Sequence, residues 1–354
     1  MVAYRLPPLP TIKDILRMYN IRAQKRLSQN FLLDPRLLDR VARAGGPLAG
    51  KHVVEVGPGP GGITRAILGQ EAARCAVVEK DPRFLPSLHL LAEASGGRMD
   101  VHLGDVLAFN MTRVFPDCLR NEWGDRPPEI RVLGNLPFNV ATPLLIRWLS
   151  DMAVHRGIFS YGRVPLTLTF QQEVADRLVA PPGSHHRSRL SVMAQNWAMV
   201  RTNFTIPGAA FVPKPEVDVG VVTLTPLTTP YIDLPFGLVE KCVTTVFHGK
   251  KKSLSNTVAN LFPRPLAKRL SARIFEEAGL PPGGGRLRPI DLDMAAMGRV
   301  CHSYHRICQD SPALLRYTHT QAKALALPPA TYQDGQECAA ELEDTRVGTF
   351  TPVV

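Results

Sequence analysis

Asn135-Leu136-Pro137-Phe138 is the stretch whose residue types point most directly to chemistry. Proline at 137 biases Leu136 to an extended conformation, which frees its carbonyl to face a ligand. That carbonyl and the Asn135 side-chain oxygen can both accept from one exocyclic amino group, and Phe138 offers a ring on which an extruded base can stack. An aromatic amine is a poor nucleophile because its lone pair is delocalised into the ring. Two acceptors on its hydrogens draw the nitrogen toward pyramidal geometry and free the lone pair for in-line attack on a methyl carbon, with no general base needed. As an isolated tetrapeptide, these residues would read as a proline turn packing Phe138 into a core. At the end of the apolar run Ile130–Gly134, read as a fourth strand, the chemical reading is preferred.

A second stretch, His52 to Gly62, supplies a place for the methyl donor. The β-branched run Val53–Val56 breaks into Gly57-Pro58-Gly59-Pro60-Gly61, and Ile63–Leu68 can continue as a helix. Strand, glycine-rich turn and helix open a doubly wound α/β domain, whose ligands sit beyond the carboxyl ends of the strands. Gly57, Gly59 and Gly62 satisfy GxGxxG, and Glu79 lies where a ribose-binding acid is expected, so a nicotinamide oxidoreductase is one reading. Against it, Pro58 and Pro60 remove two N–H donors that would cradle a pyrophosphate. S-adenosylmethionine carries no phosphate and tolerates that loss.

Both stretches need a frame to hold them. A helix is expected after Gly62, followed by a strand Cys75–Glu79, a helix Pro82–Ala94 and a strand Met99–Leu103, an alternation that implies a mostly parallel sheet. Glu79 ends the second strand, where its carboxylate can accept from both ribose hydroxyls. Asp105 follows the third and can accept from an adenine amino group, with the Val106 N–H available to a ring nitrogen. An acid there is also a common N-cap, the preferred reading for Asp105 taken alone, whereas for the set of strand ends in register the ligand reading is preferred. Upstream, Gln29 and Asn30 beside Phe31 and Leu32 read as the cap of a helix continuing through Pro35–Leu38.

Charge and composition narrow the partners. The 354 residues carry 42 Lys and Arg against 31 acids, a net +11 that suits a polyanion, nucleic acid first. The same excess also fits a mitochondrial matrix protein that binds no nucleic acid. No uncharged apolar run is long enough to span a bilayer, so no membrane partner is expected. Cys75, Cys118, Cys242, Cys301, Cys308 and Cys338 show no CxxC or zinc spacing and read as free thiols with no metal. Residues 1–27 are basic and nearly acid-free, with a candidate amphipathic helix Thr11–Ala23, the pattern of a mitochondrial targeting segment. A main domain is expected over 28–228, and Pro226–Pro235 forms a proline-rich linker. Short helices follow over 229–310, where Leu234–Asp310 holds twelve Lys or Arg against six acids. Lys250, Lys251 and Lys252 form its densest cluster, a candidate phosphate-contact surface. Within 311–354, Pro328–Val354 has five acids against Arg346 alone and is expected to be disordered.

The ordered set of motifs resembles one family, the ribosomal RNA adenine dimethyltransferases. The shared segments are Gln29–Asp34, Glu55–Thr64, Val77–Asp81, Gly104–Val106, Gly134–Phe138, Glu173–Ser184, Arg189–Gln195 and Phe211–Asp218, and the resemblance spans about residues 5 to 310. The basic N-terminus and phenylalanine at 138 are most similar to its mitochondrial branch. The resemblance implies a Rossmann-like methyltransferase domain followed by a small helical one. It assigns S-adenosylmethionine binding to Gln29, Asn30, Leu32, Gly57, Gly59, Glu79, Lys80, Asp105, Val106 and Asn135. Phe211 would form a second stacking wall, and Arg187 and Arg189 would join the three lysines in holding RNA. The implied substrate is a pair of adjacent adenosines in a hairpin loop near the 3′ end of mitochondrial small-subunit ribosomal RNA, met by a monomer on the assembling subunit. A non-catalytic factor of the mitochondrial transcription machinery would keep the fold and the charge without needing Asn135-Leu136-Pro137-Phe138. A DNA adenine or protein-glutamine methyltransferase would use a similar motif but has no reason for Phe211–Asp218.

Overall fold

A computed structural model describes residues 6–24 and 29–319; the expected disordered stretch Pro328–Val354 lies outside them. The chain divides into two compact units, Met1–Asp233 and Leu234–Val354. In the first, the strands are β1 (Phe31–Leu32), β2 (His52–Val56), β3 (Arg74–Glu79), β4 (Met99–Leu103), β5 (Ile130–Gly134), β6 (Leu166–Gln171), β7 (Ala198–Ile206), β8 (Phe211–Val212) and β9 (Val219–Pro226). Seven of them form one sheet in the order β4-β3-β2-β5-β6-β9-β7, and only β9 runs against the rest. The helices are α1 (Ile12–Met18), α2 (Pro35–Ala44), α3 (Gly62–Gly69), α4 (Leu85–Ala94), α5 (Phe138–Ala153), α6 (Gln172–Val179) and α7 (Arg189–Trp197). Val53, Val54, Val56, Val77 and Val78 are all buried. Successive residues of a strand face opposite sides, so such runs need cover on both faces, as a parallel sheet between helices provides.

The sheet order reverses beside β2, with β3 on one side and β5 on the other. Ligands of doubly wound sheets gather at such a switch point. The glycine loop leaves the carboxyl end of β2 and Asn135 leaves that of β5, so the two stretches with chemical content start side by side.

Several expected elements shift. The helix expected over Thr11–Ala23 is only α1, because Asn20 takes a left-handed φ of 48° and turns the chain. Its Ile12 and Ile15 are buried, and the Arg65 guanidinium donates to the Pro10 carbonyl at 2.5 Å, so this basic segment packs as part of the fold. The cap of α2 is Asp34, whose Oδ1 accepts from the Arg36 N–H at 2.8 Å; Gln29 and Asn30 precede β1 instead. The helix expected from Pro82 opens as a 3-10 turn, Pro82–Phe84, before α4. The strands β6, β9 and β7 complete the sheet beyond the four read from sequence.

The second unit contains α8 (Phe236–Phe247), α9 (Leu254–Ala259), α10 (Arg264–Glu277) and α11 (Met294–Asp310). Val239, Val243, Val246, Leu254, Val258, Ile274 and Val300 are buried within it.

Gly134 permits the close approach of β5 to β2. In their register it faces Val56, and a Cβ there would sit 2.5 Å from Val56 Cγ2 and 3.0 Å from the Val56 carbonyl. Gly134→Ala should therefore destabilise the protein by about 1–3 kcal/mol through overpacking. Thermal unfolding reads this directly, and an unchanged midpoint would contradict the tight β2–β5 contact.

Candidate active site

The glycine loop and the Asn135 turn touch. Gly57 has a φ of 67°, and a Cβ there would lie 2.9 Å from Leu136 Cδ2. Glycine answers both demands, the left-handed backbone and the close approach. The loop is fixed by Glu79 at the end of β3. Its Oε2 accepts from the Gly59 N–H at 3.0 Å and its Oε1 from the Asp81 N–H at 2.7 Å. A carboxylate has about four acceptor sites, so both oxygens keep capacity for ribose hydroxyls. Burial raises the Glu79 carboxyl, and the two backbone donors oppose that rise.

These elements line an open cleft at the carboxyl ends of β2, β3 and β5. Gln29, Asn30, Leu32, Gly57, Gly59, Glu79, Asn135, Leu136, Pro137, Phe138 and Phe211 all line it. Phe211 arrives through a two-stranded ribbon in which β8 pairs antiparallel with β1, setting Leu32 opposite Phe211. Pro137 is the N-cap of α5 and Phe138 its first residue, so the ring position is set by a helix start.

The other expected cofactor residues are placed differently. Lys80, Asp105 and Val106 are not among the residues lining the cleft. Lys80 pairs with Asp105 at 2.7 Å and holds its carboxyl below the ordinary range, while Asp105 Oδ1 also accepts from the Leu107 N–H at 2.9 Å. Asp105 thus closes a turn rather than capping a helix, since the next helical turn, Met111–Val114, is capped by Asn110. The Gln29 amide braces the chain, donating to Asp81 at 2.9 Å and accepting from Arg83 and from the Gln24 N–H, both at 3.1 Å.

The basic residues separate. Arg189 is exposed at the start of α7, and Lys251 and Lys252 are exposed in the turn before α9, with Lys250 half-buried. Arg187 corrects an expectation: it is 0% exposed and donates to the Ala180 carbonyl at 2.9 Å and to Gln195 Oε1 at 3.3 Å. It braces the loop between α6 and α7, out of reach of a surface phosphate.

Three residues at the site were not picked out in the sequence. Glu55 lines the cleft at 1% exposed and accepts from the Thr64 hydroxyl at 2.6 Å; a carboxyl inside an apolar strand was its signal. Phe84 also lines the cleft and meets Phe31 edge to face at 5.7 Å. Thr169 on β6 donates to Asn135 Oδ1 at 2.7 Å, a contact with no sequence signal.

The doubly wound sheet with its cleft at the switch point is the frame of a Rossmann-like methyltransferase. The chain belongs to the ribosomal RNA adenine dimethylase family, whose model matches residues 20–279. It is 47% identical over 338 residues to dimethyladenosine transferase 1, mitochondrial, of Xenopus tropicalis, covering 95% of this chain and 97% of that one. With the Homo sapiens protein of the same name it shares 49% identity over 313 residues, covering 88% and 90%. Among solved structures, a dimethyladenosine transferase from Plasmodium falciparum aligns at TM-score 0.58 and 20% identity, over 77% of this chain and 96% of that one. The 23S rRNA methyltransferase ErmE aligns at 0.53 and 20%, over 78% and 99%. Both support the Rossmann-like fold. The chain is therefore an rRNA adenine dimethyltransferase, and its cofactor is S-adenosylmethionine.

The cleft fits that cofactor. Two carboxyls line it, no Lys or Arg does, and Pro58 and Pro60 withhold two N–H groups. A pyrophosphate would find no positive partner there, whereas a sulfonium cation meets no like charge.

Glu55 carries a pH signature. Burial pushes its carboxyl from 4.5 up to about 8. Below 4.5 the group is protonated whether the chain is folded or not; between 4.5 and about 8 the unfolded chain ionises while the buried group does not. Stability is therefore lost as pH rises through that window. Glu55→Gln keeps an acceptor for Thr64 and should flatten the loss, which denaturant midpoints across the window would read. Parallel curves for the two proteins would contradict the neutral buried carboxyl.

Proposed function

We propose that the chain dimethylates N6 of two adjacent adenosines in the 3′-terminal hairpin loop of mitochondrial small-subunit ribosomal RNA, in the matrix, on the assembling small subunit. The carrying observation is that Asn135, Leu136 and Phe138 line the same cleft as the glycine loop and Glu79. An unpaired loop is the cheapest place from which to extrude a base. The relatives' names support the mitochondrial setting.

When bound, S-adenosylmethionine supplies an electrophilic methyl on a sulfonium sulfur. Glu79 holds the ribose and Gly57 lets the backbone approach. Asn135 Oδ1 and the Leu136 carbonyl accept from the adenine N6 hydrogens and free the nitrogen lone pair, to which the bound cofactor would give up its methyl, with the carbon–sulfur bond breaking and S-adenosylhomocysteine leaving. The surplus proton then passes to water. Phe138 and Phe211 form the walls between which the base stacks. A second turnover at the same nitrogen gives the dimethyl product, since a monomethylated amine still has one hydrogen to offer an acceptor. Arg189 and the lysines of the helical unit contact phosphates, which positions the RNA without reading its sequence.

Labelled methyl transfer to the RNA hairpin, followed by nucleoside analysis, tests this reading. N6,N6-dimethyladenosine should form on the hairpin and not on DNA of the same sequence. Asn135→Ala should lower the rate by at least about 10²–10³, the usual effect of losing one positioned electrostatic contact. Wild-type turnover in that variant would refute the assignment. Replacing Lys250, Lys251 and Lys252 by Ala should reduce the salt slope of RNA binding by roughly 0.7–0.9 per lost contact. An unaltered slope would make the cluster a solvated face.

A further inference from the structure

Thr169 has a chemical reason to be where it is. It lies on β6 at 1% exposed, in a strand whose other buried positions include Leu166, Leu168 and Phe170. Valine would fill the same space without a buried hydroxyl to satisfy, and a buried hydroxyl with no partner is costly. The Thr169 hydroxyl donates to Asn135 Oδ1 at 2.7 Å.

The ladder explains the pairing. Gly134 faces Leu168 in the β5–β6 register, so Asn135 and Thr169 stand one residue beyond that pair. Asn135 has left its strand, whereas Thr169 is still held within β6 and is paired on its other side with Val221 of β9. The better-anchored residue thus holds the freer one. The terminal torsion of an asparagine is broad, so without a partner its amide would sample many orientations. A carbonyl oxygen has two lone pairs, and Thr169 occupies one, leaving the other for a second donor.

We propose that Thr169 is a positioning residue that aims Asn135 Oδ1 at the exocyclic amine of the target base. This rests on the role given to Asn135 above. Thr169 touches neither base nor methyl donor and acts through the Asn135 amide alone. It therefore affects the rate of methyl transfer while leaving cofactor affinity and RNA affinity unchanged.

The test compares Thr169→Val, Thr169→Ala and Thr169→Ser in the full chain, by single-turnover methyl transfer, S-adenosylmethionine titration and thermal unfolding. A loss of aim at the reacting centre costs up to about 10²-fold in rate. Thr169→Val and Thr169→Ala should both show a loss of roughly that order with Kd for the cofactor unchanged, and Thr169→Ser, which restores the hydroxyl, should recover the wild-type rate. Wild-type rates in Thr169→Val, or a Thr169→Ser protein as slow as Thr169→Ala, would overturn the proposal. If the rate follows the unfolding midpoint across all three variants, Thr169 is only a packing residue and the proposal fails. An Asn135→Ala protein that stays active would instead overturn the role of Asn135 itself, which separates the two failures.

Discussion

The close parallel contact between β2 and β5 is the constraint on which the site depends. Val56 and Gly134 face each other in the last pair of that ladder, and each strand then releases a loop with chemical content. Gly134 permits the strands to meet, and Gly57, one residue on, permits the Leu136 side chain to pack against the loop. Shifting either strand by one residue would turn every side chain to the opposite face. The glycine loop and the Asn135 turn would then no longer open into one cleft. On the proposed reading, binding of the methyl donor and activation of the amine are thus coupled by backbone register, before any side chain is considered.

The electrostatics of the cleft follow from what the loop lacks. Its prolines withhold donors, and Glu79 spends part of its capacity holding the Gly59 and Asp81 N–H groups. What is left is an acceptor-rich, cation-free pocket, suited to hydroxyls, an amine and a sulfonium. Arg189, Lys251 and Lys252, proposed above to contact phosphates, are exposed and lie outside that lining. On the proposed reading, this division would let one protein attract a highly charged RNA through its surface and still react with a neutral base through its cleft.

The parts of this arrangement that were legible in the sequence are those encoded locally. The β-branched run before Gly57, the interleaved prolines and the Asn135-Leu136-Pro137-Phe138 turn each carry their conformation within a few residues, and β2, β4 and β5 fall where periodicity puts them. Functions that depend on distant partners were not legible. Arg187 reads as a surface cation, yet it is buried because Ala180 and Gln195 come back to meet it. Gln29 lines the cleft, but the partners that hold its amide, Asp81 and Arg83, lie more than fifty positions away. The strands β6 and β9 form the far half of the sheet, and the contact from Thr169 to Asn135 exists only once that half is assembled.

The most direct test of the account is a crystal structure of the protein with S-adenosylhomocysteine and an adenosine-containing hairpin. The account predicts the target base between Phe138 and Phe211, with its N6 within about 2.7–3.2 Å of both Asn135 Oδ1 and the Leu136 carbonyl. A base held in the cleft with N6 turned away from both acceptors, or facing a titratable side chain instead, would contradict it.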